Sequence, residues 1–191
     1  MLTAGDNPFR VERLHNLEFQ LTGETWDGLC ARLESLGFRA AVVGPHGHGK
    51  TTFLRSFARR LEARGFGVRR LFLSEEHPHF EARFLRELAR TITERDILFL
   101  DGAEQLGWLA WRRFLRTARG AQGILITCHR PMHFPTLLEC RTSPELLAAL
   151  LRDLDVERCL PPDFDLGKAL AERNGSIRDV FFALYDRLAR E

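Results

Sequence analysis

From residue 39 onward, short apolar runs alternate with amphipathic stretches of helical length. Arg39 to Val43 reads as a buried strand, Lys50 to Arg64 as a helix and Val68 to Leu73 as a strand. Pro78 is expected to start a helix that runs to about Thr91. Asp96 to Leu100 then reads as a strand, Trp108 to Arg119 as a helix, Ile124 to Thr127 as a strand and Thr136 to Cys140 as a short fifth strand. Strands alternating with helices in this way predict an α/β fold with a parallel sheet covered on both faces. Ahead of this pattern, an Asn7-Pro8-Phe9 turn precedes an amphipathic helix from about Thr25 to Leu36, with Trp26, Leu29, Leu33 and Leu36 on one side.

After Arg141 the strands stop. Ser143-Pro144-Glu145 combines a capping hydroxyl, a proline at the first helical position and an acid in the first turn. The stripe Leu146, Leu147, Leu150, Leu151 and Leu154 follows it. A turn at Pro161-Pro162 leads to a second helix that Asn174-Gly175 stops, and Ser176 with Asp179 starts a last helix reaching about Ala189. The expected organisation is an N-terminal segment over residues 1–38, an α/β core over 39–142 and a small helical subdomain over 143–191.

The strongest chemical signal is Gly44-Pro45-His46-Gly47-His48-Gly49-Lys50-Thr51, which fits G-x-x-x-x-G-K-[ST] between a predicted strand and a predicted helix. Glycines let a backbone wrap closely round a phosphate so that several N–H groups converge on one anion, and the helix that follows adds its positive end. Lys50 then suits the β- and γ-phosphates, the Thr51 hydroxyl a magnesium ion, and Thr52 continues the cradle. His46 and His48 fill variable positions and are expected to face solvent.

About fifty residues later, Ile97 to Leu100 ends in Asp101, a buried strand delivering a carboxylate suited to the same magnesium. Glu104, three residues on, is the candidate for orienting an attacking water. Ile124-Leu125-Ile126 ends in Thr127, whose hydroxyl suits the γ-phosphate or the water, with Arg130 able to add positive charge. An ordinary strand leading into a turn is the alternative reading of that third segment.

Together these residues resemble the AAA+ class of P-loop ATPases. Gly44 to Thr51 corresponds to Walker A, Leu98 to Asp101 to Walker B, and Thr127 to sensor 1. The tail is similar to the small lid, and Asn174-Gly175-Ser176-Ile177-Arg178 to the sensor 2 region. The resemblance implies a three-layer α/β/α P-loop fold with a C-terminal helical lid, ATP and Mg²⁺ as ligands, and Arg178 as a γ-phosphate contact. It also implies that Asn7-Pro8-Phe9 lies near the adenine. Three departures bear on activity. Gly102 stands where the family usually has Glu, only Pro131 to Pro135 follows the sensor 1 strand where larger members carry a helix and an arginine finger, and the lid is short. Hydrolysis is therefore expected to be slow, or to depend on Glu104 or on a partner. The likeness is nearest to compact bacterial AAA ATPases such as transposition helpers and secretion-associated ATPases.

Composition narrows the reading. With 45% hydrophobic residues the chain can bury a core, and its longest apolar runs are too short to insert in a membrane. Its first residues lack a basic stretch followed by an apolar run, so no secretory signal is expected. Scattered cysteines fit reduced thiols in a cytoplasmic protein, and Cys128, His129, His133 and Cys140 match no common zinc spacing. Net charge is only +2, but 26 arginines stand against two lysines, Lys50 and Lys168. Arg112, Arg116 and Arg119 share a helical face, with Arg113 adjacent and no acid between Gln105 and Glu139. A solvated arginine face, DNA phosphates or a neighbouring subunit's nucleotide would each account for it.

The leading expectation is a Mg²⁺-dependent ATPase coupling nucleotide state to a protein or nucleic-acid partner, or to further copies of itself. A small-molecule or nucleotide kinase is the second reading, although Asp101 to Thr127 is too short to hold an inserted lid. A module that binds nucleotide without hydrolysing it, suggested by Gly102, is the third.

Overall fold

The computed structural model describes residues 9, 11–157, 160–161 and 163–188. Its elements are α1 (Val11–Asn16), α2 (Trp26–Ser35), β1 (Arg39–Val43), α3 (Lys50–Glu62), β2 (Gly67–Phe72), α4 (Ala82–Thr91) and β3 (Asp96–Asp101). A 3₁₀ turn at Ala103–Gln105 follows, then α5 (Trp108–Thr117), a second 3₁₀ turn at Ala118–Gly120, β4 (Gly123–Cys128), β5 (Thr136–Glu139), α6 (Pro144–Asp153), α7 (Leu166–Ala171) and α8 (Ile177–Leu188). None of the described helices is long and apolar enough to cross a membrane.

The chain divides into two compact units. One, residues 21–44 and 54–139, holds the sheet. Its five strands run in the order β2-β3-β4-β1-β5, every pair parallel. Strands β3, β4 and β1 are central and almost wholly buried, which explains why their sequences read as unbroken apolar runs. Edge strand β2 leaves Arg69 and Arg70 exposed. Alternate residues feed two layers. Leu98, Leu100, Ile124 and Ile126 pack with Leu88 of α4 and with Trp111 and Phe114 of α5. On the opposite face Phe99 stacks on Phe57 of α3, which in turn stacks on Trp26 of α2. The result is a three-layer α/β/α arrangement.

One element begins later than Pro78 suggests. Helix α4 starts at Ala82, because Ser74 and His77 close a turn on each other and the Phe80 ring inserts between Phe84 and Phe114. The residues between must stay off the helix for that ring to reach the core.

At the start of β3, Asp96 anchors the β2–β3 edge. Its carboxylate accepts the Thr93 amide at 2.8 Å and hydroxyl at 3.1 Å, and lies 3.4 Å from the Arg69 guanidinium. Burial acts on this carboxyl most strongly and would raise it. The Thr93 amide, the Arg69 contact and the Thr93 hydroxyl together outweigh burial and hold it below the usual range. A depressed carboxylate contributes stability that is present above its unfolded value, near pH 4, and is lost as pH falls through the folded one. Asp96→Ala is expected to cost about 1–2 kcal/mol at neutral pH, roughly 3–6 °C in Tm. In calorimetric scans the gap from wild type should narrow as the pH approaches 3.

The other unit comprises residues 1–20, 45–53 and 140–191. Its core is built by Leu147 and Leu151 of α6, Leu170 of α7 and Val180, Phe181 and Leu184 of α8, with Phe9 buried against Phe181. Helix α6 is capped by the Ser143 hydroxyl, which accepts the Leu146 amide, and carries Pro144 in its first turn. Asp165 caps α7 in the same way. After α7, Asn174 and Gly175 take left-handed conformations, and the Gly175 amide returns to the Leu170 carbonyl. Helix α1 also belongs here, its Arg13 donating to the Leu154 carbonyl. The sequence pattern did not predict that helix.

Candidate functional site

The phosphate-loop residues Pro45 to Gly49 leave β1 and lead into α3. The Lys50 side chain folds back across the loop, its Nζ donating to the Pro45 carbonyl at 2.9 Å, and is only 9% exposed. A cation is thus held at the loop rather than projected into solvent. Among the described residues, the amides of Gly47 and Gly49 donate to nothing. Unsatisfied amides beside a held ammonium and a helix N-terminus form a donor set that fits a polyphosphate. Thr51 is exposed at the start of α3 and Thr52 half-buried behind it.

Within the same unit, the segment from Asn174 to Arg178 lies against this loop. Gly47 has φ of +77°, and a Cβ there would fall 2.0 Å from the Ser176 hydroxyl oxygen, so only glycine permits the approach. Ser176 itself caps α8 by accepting the Asp179 amide. Arg178 Nη1 stands 3.4 Å from His46 Nε2. His48 departs from the solvent-facing position expected of it. It is half-buried, its Nε2 donates to the Asn174 carbonyl at 3.3 Å, and its Nδ1 is buried without a partner. His46 does remain exposed. The structure therefore brings Arg178 to the loop through backbone and imidazole contacts. Asn7 and Pro8 lie outside the described residues, and Phe9 serves the helical core.

Burial also pushes the Cys140 thiol up to about 12, with the Lys50 charge pulling the other way. Cys140 is accordingly a neutral packing residue at physiological pH, not a nucleophile.

In the sheet unit, β1, β3 and β4 end along one edge, and the Gly44 amide donates to the Cys128 carbonyl there. Asp101 closes β3. The fully buried Thr127 donates its hydroxyl proton to Asp101 Oδ1 at 2.5 Å and accepts the Gly102 amide at 3.0 Å. With both capacities engaged, Thr127 orients the carboxylate and pins the turn after it. Glu104 rides on the 3₁₀ turn, with one oxygen 3.3 Å from His129 Nε2 and the other buried without a partner. A carboxylate so held has an acceptor lone pair to offer a water. His129 is the residue that sequence reasoning did not connect to Glu104; parallel pairing of β3 with β4 is what puts their ends side by side. Arg130 is exposed.

The structure also accounts for Gly102. Its φ is +87°, and a Cβ would lie 2.4 Å from the Leu73 carbonyl oxygen. Left-handed backbone and that contact together exclude a glutamate at this position.

No protein-family model and no curated protein matches the chain. Solved structures do resemble it. The replication initiator DnaA bound to AMPPCP and single-stranded DNA aligns with TM-score 0.55 and 16% identity, over 82% of this chain and 57% of that one. A DNA replication initiation factor aligns with TM-score 0.49 and 16% identity, over 86% and 62% of the two chains. C. elegans PCH-2 aligns with TM-score 0.46 and 13% identity, over 99% and 72%. This chain thus spans less than two thirds of the length of the DnaA chain. Given the strand order, the loop after β1 and the likeness to DnaA, itself an AAA+ P-loop ATPase, the chain has the AAA+ P-loop ATPase fold.

Proposed function

We propose that this protein is a Mg²⁺-dependent ATPase that couples nucleotide state to a protein or nucleic-acid partner. The observation that carries the reading is the loop from Gly44 to Thr51, with its held Lys50 ammonium and unsatisfied Gly47 and Gly49 amides. In this reading Gly44, Pro45, His46, Gly47, His48, Gly49, Lys50, Thr51 and Thr52 bind the phosphates. Lys50 supplies charge at the β- and γ-phosphates, and Thr51 and Asp101 hold the metal. Magnesium, when bound, neutralises charge on the phosphate oxygens. Thr127 keeps Asp101 in place, and Glu104, steadied by His129, orients the water. The DnaA structure supports the nucleotide, since it was solved with AMPPCP.

Phosphate release tests the reading. ATP alone should yield phosphate in a Mg²⁺-dependent manner, whereas transfer seen only with an added acceptor would favour a small-molecule or nucleotide kinase. Tight ATP binding with no release under any condition would favour a non-hydrolysing module, a reading motivated by Gly102.

Arg178 makes the nucleotide response directional. A guanidinium gains a charge-assisted contact with a γ-phosphate that ADP cannot offer, and only such a difference between ligands biases two states. ATP is expected to protect residues 143–188 from hydrogen exchange more than ADP does, and Arg178→Ala should erase that difference. Equal protection by the two nucleotides in the wild type would exclude the role.

A further inference from the structure

The solvent face of α5 sets exposed arginines beside exposed large apolar side chains. Trp108, Arg112 and Arg116 follow each other at helical spacing, flanked by Leu109, Arg113 and Arg119, and all six are exposed. Trp108 is 66% exposed and Leu109 73%, high values for apolar residues of that size. Arg112 lies over the Trp108 ring at 4.9 Å from its centroid. Among the described residues, none of Arg112, Arg113, Arg116 and Arg119 pairs with a carboxylate. The chain carries no acid between Gln105 and Glu139 that could neutralise them. Helix α4, packed against α5 in the same layer, exposes Arg83, Arg86 and Arg90, likewise without ion pairs.

Solvation accounts for unpaired arginines but not for a large aromatic ring kept in water at the head of the same row. Positive charge with no internal counter-charge selects a polyanion. An exposed indole beside it adds a stacking surface, which serves a partner with free aromatic faces. A duplex keeps its bases stacked on each other, whereas a single strand offers them. From Trp108 to Arg116 the row extends about 12 Å, long enough to follow several atoms of backbone on from one stacked base. We propose that the exposed face of α5, continued by the 3₁₀ turn after it, binds single-stranded nucleic acid, with Trp108 stacking a base, Arg112, Arg113 and Arg116 contacting phosphates from the helix, and Arg119 contacting them from the turn. This deepens the reading above by naming the class of partner, and it uses no residue of the phosphate loop.

Fluorescence anisotropy of a labelled oligothymidylate with the full chain, without nucleotide and then with ATP, tests the proposal. The wild type should bind at low salt. Trp108→Ala should weaken binding about ten-fold, within the range for losing one stacked base, and Trp108→Phe should restore most of it. Arg112→Gln with Arg116→Gln should flatten the slope of log affinity against log salt by about 1.4, as expected for two lost contacts to a single strand. Neither set should alter ATP affinity, and Lys50→Ala should still bind the oligonucleotide, so failure of the ATPase reading and failure of this one are distinguishable. Absence of binding at low salt would overturn the proposal, as would Trp108→Ala binding like the wild type. Duplex of the same sequence binding as tightly would also overturn it, and displacement by polyglutamate as effective as by unlabelled oligonucleotide would point to an acidic protein instead.

Discussion

Lys50→Ala is expected to reduce ATP affinity by about 100-fold or more and to abolish turnover, while the chain stays folded. The loop holds the Lys50 ammonium through the Pro45 carbonyl, at 9% exposure, where water screens it little. Hydrogen bonds to charged groups are worth about 1.5–3 kcal/mol each, so losing contacts to two phosphates removes roughly 3 kcal/mol or more. No other lysine can substitute, since Lys168 is exposed on α7. Lys50→Arg should rescue poorly, because a planar fork does not replace a compact point charge inside a closed turn. Titration with a fluorescent ATP analogue measures the loss, and thermal melting checks the fold. Affinity and turnover equal to the wild type's would mean that the loop does not act on phosphate.

Glu104→Gln is expected to leave ATP affinity within about three-fold and to lower hydrolysis by about 100-fold, the lower range for removing a general base. The amide keeps the shape of the side chain but cannot take a proton from water. Asp101→Asn should act differently, weakening the dependence on Mg²⁺ while Thr127 can still donate to the remaining carbonyl oxygen. Placing an acid directly after Asp101 by Gly102→Glu should not rescue Glu104→Gln. A side chain there meets the Leu73 carbonyl oxygen and must adopt a left-handed backbone, at a cost of about 1–2 kcal/mol before the clash. Single-turnover phosphate release, compared with nucleotide binding in the same samples, separates these effects. Wild-type hydrolysis by Glu104→Gln would place the water-orienting group elsewhere.

The parts of this fold that could be read in advance are those with local causes. Ala40 to Val43 and Ile97 to Leu100 are apolar without a break because helices cover both faces of the central strands. Ser143-Pro144 and Ser176 mark helix starts because the serine hydroxyls serve amides three residues away. What escaped notice has non-local causes. Helix α1 is six residues long, with Val11 and Leu14 its only apolar residues, and so short a sequence carries too little signal to announce it. The late start of α4 depends on where Phe80 finds Phe114. The partnership of Glu104 with His129 follows from strands β3 and β4 lying side by side, a fact about topology. Gly102 could be seen to break a pattern, but its reason, a carbonyl at the end of β2, is visible only in three dimensions.

The scarcity of lysine, together with the posture of Lys50, turns the chain into its own chemical reporter. Its side-chain amines number two, one held inside the phosphate loop and one exposed on α7. An amine-acylating reagent would therefore mark Lys168 at a steady rate, an internal clock, while the rate at Lys50 follows how often the loop releases its ammonium. The ratio of two acylated peptides, read by mass spectrometry from unlabelled protein, would track loop opening across temperatures, nucleotides and partners without engineering a single probe into the molecule.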